Sequence, residues 1–335
     1  MKTVFEILPN EIILLICQYL SNKEIIRAFM DLNLRLNCTI SGYTSYWTVS
    51  DPDDKLTFEL IRNELRSLTV KNSLLTNDEI RTAINIEELN LIRTLPMNLT
   101  NFEYLTDLNI HFIPAFPSLL TLYSKNTHLH SIYLESNQSL TIPEFDPSKI
   151  SSIKQLAIHV DSATSFLRIL RTCPELTCLN LALDQFALND SNLDFSSVEK
   201  PEHLSIFSVR FSFDYNIDFN SLKLLLNCLP STLEYLSVTI QTNDKTCLDG
   251  SAWETFIQQT FSQLIRLEFF ITFKLDRYRL TTVSDPALSP VLKTFENSFW
   301  STIVPQTISG YRDHFVLCIH TKPIPLVARR RYFLN

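Results

Sequence analysis

Seven histidines and seven cysteines are the side chains of this 335-residue sequence best suited to nucleophilic or metal chemistry. The cysteines, at 17, 38, 173, 178, 228, 247 and 318, are odd in number and irregularly spaced, with no C-x-x-C and no Cys/His pairs at zinc spacing. No metal site is expected from them, and they read as buried thiols in a reducing compartment. Nucleophilic pairs are defined in space, so one of the histidines (111, 128, 130, 159, 203, 314, 320) could in principle activate Cys178, but nothing in the spacing selects such a pair. Only three glycines occur (Gly42, Gly250, Gly310), where ordinary usage of about 7% gives roughly twenty. Phosphate cradles and dinucleotide fingerprints need several close together, and G-x-S-x-G and H-E-x-x-H are absent as well. The expectation is a protein without catalytic residues or cofactor, and not an enzyme.

What must be positioned is therefore a surface. The elements that would build it are visible as one hexapeptide pattern, L-x-x-L-x-[L/I/V/F], repeated nine times: Leu65-Val70, Ile86-Leu91, Leu105-Ile110, Leu129-Leu134, Ile153-Ile158, Leu176-Leu181, Leu204-Val209, Leu233-Val238 and Leu264-Phe269. Successive copies start about 20 to 30 residues apart, and the gaps lengthen toward the C-terminus. Side chains alternate across a strand, so positions four and six point inward and three, five and seven outward. This periodicity resembles leucine-rich repeats, whose solenoids have periods in the same range. The resemblance implies one curved sheet of parallel strands on the concave side, with helices and turns on the convex side. Helical stretches at 165–172, 220–228 and 252–261 fit the longer repeats, and looser turns are expected in the short ones. The turn asparagine of such repeats is matched only by Asn137.

Residues 4 to 40 have a different texture, with helical periodicity and clear punctuation. Leu8-Pro9-Asn10-Glu11 opens a helix with proline near its first turn, and Ser21-x-x-Glu24 is a capping box for a second. A third is expected over 33–40. Leu8-Pro9-x-Glu11-Ile12-x-x-x-Ile16-x-x-x-Leu20, followed by Ile25, Arg27 and Ala28, resembles the F-box, the helical module of many ubiquitin-ligase substrate receptors. The resemblance implies that a Skp-type adaptor, itself held by a cullin scaffold, binds through Leu8, Pro9, Glu11, Ile12, Ile16, Leu20 and Ile25. Taken with the repeats, it describes the class of F-box proteins with C-terminal leucine-rich repeats. The alternative is a repeat scaffold unconnected with ubiquitin, whose N-terminal helices only cap the solenoid.

The expected organisation is an α/β chain: F-box over 1–45, a junction over 46–64, repeats over 65–275, and irregular terminal repeats with a cap over 276–335. In the junction, Asp51-Pro52-Asp53-Asp54 reads as a turn, 58–65 as a short helix, and Tyr43, Tyr46 and Trp47 as packing aromatics. Leu292-x-x-Phe295 could begin a tenth repeat, and Phe315-Ile319 an eleventh strand or a closing cap. On the outward positions, Tyr133, Arg210, Tyr235, Arg266, Glu268 and Phe270 are the aromatic, arginine and neighbouring groups that interfaces enrich, so a protein target is expected across the C-terminal half of that face.

Composition narrows the partners. Hydrophobic residues are 45% of the chain, enough to line a long core, and charged residues 19%. The net charge of -7 lacks the counterion-release drive for nucleic acid, and Arg329-Arg330-Arg331 reads as a solvated tail. Glu6 and Glu11 flank too short an apolar run for a signal peptide, and nowhere is an uncharged apolar run long enough to span a bilayer. A soluble cytoplasmic or nuclear protein without membrane contact is expected, with the N-x-[S/T] matches at Asn37, Asn98, Asn137 and Asn189 set aside as chance.

Overall fold

A computed structural model describes residues 7–30, 32, 34–83, 85–93, 102–113, 128–136, 139–142, 152–185, 199–212, 215–274, 293–295, 303–309 and 314–321. Asn137, residue 292 and the Arg329–Arg331 cluster lie outside them. The chain is α/β and divides into two compact units, 1–138 and 139–335.

The first unit opens with three helices, α1 (Asn10–Cys17), α2 (Asn22–Phe29) and α3 (Leu34–Thr44). Pro9 is the N-cap of α1, and the Ser21/Glu24 capping box starts α2, each side chain bonding the other's backbone amide. The trio closes on its own small core of Ile13, Cys17, Ile25, Phe29, Leu36 and Ile40, with Leu8, Ile16, Leu20, Met30 and Tyr43 packed at its margin.

Five parallel strands follow: β1 (Tyr46–Val49), β2 (Ser67–Lys71), β3 (Glu88–Ile92), β4 (Asp107–Ile113) and β5 (Ser131–Ser136). The last four are the first four hexapeptides. β1 falls in what the sequence presents as a junction, and it is a further copy: Thr44-x-x-Trp47-x-Val49 buries the same three positions. A backbone motif shows the equivalence. The amides at positions two and three of a hexapeptide both donate to the position-two carbonyl of the preceding one, as Thr106 and Asp107 do to Glu87, Glu87 and Glu88 to Arg66, and Arg66 and Ser67 to Ser45. Each strand entry thus satisfies donors that would otherwise be orphaned beside the core.

Two connections differ from expectation. Asp51-Pro52-Asp53-Asp54 is not a turn but the start of α4 (Pro52–Ile61), with Asp51 as N-cap, Asp54 completing a capping box and Pro52 where a missing N–H is harmless. The short first repeat holds a helix, α5 (Asn77–Arg81), rather than a loose turn, because Thr76-x-x-Glu79 is another capping box.

Asp54 also fastens α2 to α4. Its buried carboxylate accepts from Lys23 Nζ at 2.9 Å and from the amides of Ser50 and Asp51 at 3.0 and 3.1 Å, while Arg27 reaches the Asp53 carbonyl at 3.1 Å. Burial alone would raise the Asp54 pKa, but these donors outweigh it and hold it below the ordinary aspartate value of 3.8. A depressed carboxyl contributes stability above its unfolded pKa and loses it as pH falls through the folded one. The destabilisation caused by Asp54→Asn is therefore expected to be fully present at pH 7 and to shrink as pH drops below about 4, in thermal unfolding of both proteins from pH 7 to 2.

The second unit holds β6 (Gln155–Ser162), β7 (Cys178–Gln185), β8 (Ile206–Phe211), β9 (Tyr235–Thr242) and β10 (Arg266–Lys274), again parallel and matching the last five hexapeptides. The same paired-amide motif recurs, for example from Glu234 and Tyr235 to the Ser205 carbonyl. Positions one, four and six of all nine hexapeptides are buried except for Leu264, which is half-buried. Three capped helices connect the strands: α6 (Ala163–Thr172), α7 (Phe219–Leu226) and α8 (Gly250–Thr260), at the segments expected to be helical. Phe166 of α6 packs 6.0 Å from Phe207, and Trp253 of α8 packs 4.1 Å from Phe269 and 4.9 Å from Phe219.

The parallel ladder stops at β10. β12 (His314–Thr321) pairs with it antiparallel, and β11 (Ile303–Ser309) pairs antiparallel with β12. The alternation in 315–319 does make a strand, one that runs against the repeats. Lys293–Phe295 is a helical turn and not the opening of a tenth repeat strand, since Phe295 is buried beside Gly250 at the start of α8, where the Thr294 hydroxyl accepts from the Gly250 amide. Gly250 needs to be glycine because a Cβ there would sit 2.6 Å from the Thr294 carbonyl oxygen.

Candidate protein-binding surfaces

Two kinds of surface are candidates, the exposed side of α1 on the first unit and the outward strand face of each unit. On the first unit, α1 is apolar nearly all round. Ile13 and Cys17 face the local core, while Ile12, Leu14 and Leu15 are exposed, flanked by Ile7 at 72% and Tyr19 at 84%. A helix apolar on every side belongs inside something.

The outward face of the strands is polar and cross-linked between neighbours. In the first unit, Ser67 donates to Glu88 at 2.9 Å and Asn109 to Asn90 at 2.8 Å, and His111 pairs with Glu135 at 2.7 Å with its ring 5.1 Å from that of Tyr133. In the second, His159 meets Asp184 at 2.7 Å. Tyr235, Arg266 and Glu268 form a closed group. The Tyr235 hydroxyl donates to one Glu268 oxygen at 2.8 Å, Arg266 donates to the other through Nε at 3.1 Å and Nη2 at 2.7 Å, and the guanidinium lies 5.0 Å from the Tyr235 ring centroid. Burial, followed by the Glu268 charge, drives the Tyr235 pKa upward, so its hydroxyl remains a donor. Arg210 is exposed.

Burial pushes the Cys178 thiol up to about 11, and Asn180 Nδ2 lies 3.9 Å from its sulfur. Among the described residues no group of three His, Cys, Asp or Glu could hold a metal ion, and no helix is long and apolar enough to cross a membrane.

No protein-family model matches the chain, and no curated protein is significantly similar to it.

The residues singled out for adaptor contact separate on this geometry. Pro9, Glu11 and Ile12 are exposed, and Leu8, Ile16 and Leu20 are half-buried at the margin of the helical core. Ile25 is fully buried inside that core, where it holds the module together. Leu15 and Tyr19, which belong to the apolar face readable in the sequence, are exposed, and Ile7 and Leu14 are further exposed apolar groups outside that face. The signal was there in the four consecutive apolar residues Ile12-Ile13-Leu14-Leu15, which one buried stripe cannot absorb.

The residues singled out for target contact separate too. Tyr235, Arg266 and Glu268 are adjacent and engage one another. Arg210 and Phe270 share a register line through Thr239, two strands apart. Tyr133 lies in the first unit beside His111. Glu268→Ala leaves the Tyr235 hydroxyl and the Arg266 guanidinium without their shared acceptor, and is expected to lower stability by about 1–3 kcal/mol, measured by urea unfolding.

Proposed function

We propose that the chain is the substrate-recognition subunit of a cullin-type ubiquitin ligase. It would bind a Skp-type adaptor through an F-box formed by α1–α3 and a protein target on the outward strand face of a leucine-rich-repeat solenoid. It performs no chemistry in this role and supplies proximity, holding the target where a charged carrier can react with it.

The observation that carries the reading is the exposed apolar surface of α1, set on a helical trio that already has its own core. Helices serving only as an end cap bury their apolar side against the strands, whereas here Ile7, Ile12, Leu15 and Tyr19 still face outward. The Lys23–Asp54 and Arg27–Asp53 bonds tie α2 to α4, as the scaffold reading, in which the trio caps the repeats, also requires. They are compatible with both, because a fastened module can also present a surface. Sheet pairing in the paired-amide motif supports the repeat part of the reading.

Co-expression of the full chain with a Skp-type adaptor tests it. Stoichiometric co-purification is expected, and a chain that purifies well folded and free of adaptor would leave the scaffold reading in its place.

A further inference from the structure

The leading turn of α1, residues 9–12, is exposed throughout, and the two α1 residues buried in the helical core, Ile13 and Cys17, come after it. Capping does not hold this turn either. α2, α4 and α5 each begin with a capping box, whereas Pro9, the N-cap of α1, makes no side-chain hydrogen bond. An isolated helix of eight residues is marginal in water, so its start has to be fixed from outside α1. Arg35 reaches it from α3. Its Nη1 donates to the Leu8 carbonyl at 2.8 Å and to Asn10 Oδ1 at 2.7 Å, one on either side of Pro9. A terminal guanidinium nitrogen carries two N–H groups, enough for both oxygens, and its charge makes the bonds stronger than neutral ones. Leu36, the neighbour of Arg35, and Ile40 seat α3 in the core, so the geometry of the core is passed to a turn that lies outside it.

We propose that Arg35 is a positioning residue for the adaptor surface of α1: by clamping Leu8 and Asn10 it sets the orientation in which Ile7, Pro9 and Ile12 meet the partner. What this says of binding rests on the adaptor reading of α1, and the clamp itself does not. Ile7, Pro9 and Ile12 are exposed and lie beside the clamped residues. A partner that met an unclamped turn would have to order it first, and that cost would be subtracted from the affinity. Arg35 acts through the turn and need not touch the partner. The F-box resemblance assigns this residue no role, because its contacts lie 27 and 25 positions back along the chain, at a separation that no local pattern reveals.

The test uses the full chain, with calorimetric titration of a Skp-type adaptor and amide hydrogen exchange of the free protein. Arg35→Met keeps the aliphatic stem and removes every donor, and it is expected to bind the adaptor about tenfold more weakly. The same variant should speed exchange of the Ile12 and Ile13 amides, which bond the Pro9 carbonyl at 3.1 and 3.2 Å, and leave the α2 amides as in the wild type. Arg35→Lys, which restores a charged donor, should recover most of both. Asn10→Ala should weaken binding by itself and add nothing on top of Arg35→Met, since the bond it removes is already gone. Wild-type affinity in Arg35→Met, no recovery with lysine, or an Asn10→Ala effect that adds in full, as a direct contact between Arg35 and the adaptor would give, would each overturn the proposal. So would equally fast exchange in α2, which marks a general loosening of the module. If the wild type binds no adaptor, the ubiquitin reading falls and exchange alone decides the clamp: unchanged protection of Ile12 and Ile13 in Arg35→Met removes it, and faster exchange confined to them keeps it.

Discussion

Trp253→Ala is expected to cost the second unit about 3–5 kcal/mol, the range for truncating a large core aromatic. Trp253 is wholly buried and sits among Phe219, Phe256 and Phe269 at ring separations of 4.9, 6.4 and 4.1 Å. It joins α7, α8 and the inner side of β10, so its loss opens a cavity bordered by three elements that cannot all move in to fill it. The indole also donates to the Cys247 carbonyl at 2.9 Å, which fixes the 3-10 turn Lys245–Leu248 ahead of α8. Domains are stable by only about 5–15 kcal/mol, so the loss is a large share of the total. Urea unfolding should show a midpoint shift for Trp253→Ala well beyond that for Trp253→Phe, which keeps most of the ring packing and forfeits chiefly the hydrogen bond, worth about 1 kcal/mol. Equal shifts for the two substitutions would mean that the hydrogen bond, and not the packing, is what holds this region.

Ile12→Ser, Leu15→Ser and Tyr19→Ser combined are expected to abolish adaptor co-purification and to leave stability almost unchanged. The reasoning rests on exposure. Groups already in water lose little on the folding side when made polar, but burying each against a partner is worth about 1.5–3 kcal/mol. Ile12 and Leu15 are already about half covered, so with tenfold in affinity for every ~1.4 kcal/mol the triple variant should bind roughly a hundredfold more weakly. Ile25→Ala is the contrasting substitution, since it empties a position in the module's own core and should cost about 2–5 kcal/mol of stability. A triple variant that still co-purifies at wild-type yield would show that α1 is not the contact surface.

The strands were legible because their signal is local: one apolar residue at every second position, preceded by a third apolar residue that seats the turn. β1 escaped because Thr44 and Trp47 occupy positions where the other copies have Leu, Ile or Phe, and a pattern written in residue types does not register a threonine buried by its neighbours. Asp51-Pro52-Asp53-Asp54 escaped for a different reason. The same residues favour a turn and a helix N-terminus, and only the apolar residues behind them, Phe58 and Ile61, decide between the two. Strand direction was not legible in 315–319, since alternation is identical in parallel and antiparallel pairing. The burial of Ile25 and the mutual bonds of Tyr235, Arg266 and Glu268 were not legible in the sequence either. Sequence pattern marks a side chain as apolar or outward-facing, but not whether a neighbour on the next helix or strand has already engaged it.

The reversed hairpin after β10 also bears on the protein's behaviour in concentrated solution. A run of identical parallel repeats has no intrinsic last member, and its final strand offers the next molecule the same template that each repeat offers its successor. Such an edge invites end-to-end growth into filaments. β12 removes the template by running the opposite way, so an incoming first repeat finds the wrong polarity. Beyond it, β11 presents an outer strand carrying Pro305, tolerated there because an edge strand has one side without ladder partners, and unable to donate to a newcomer. Among the described residues the parallel ladder of the second unit is thus closed by an antiparallel pair that does not repeat its template.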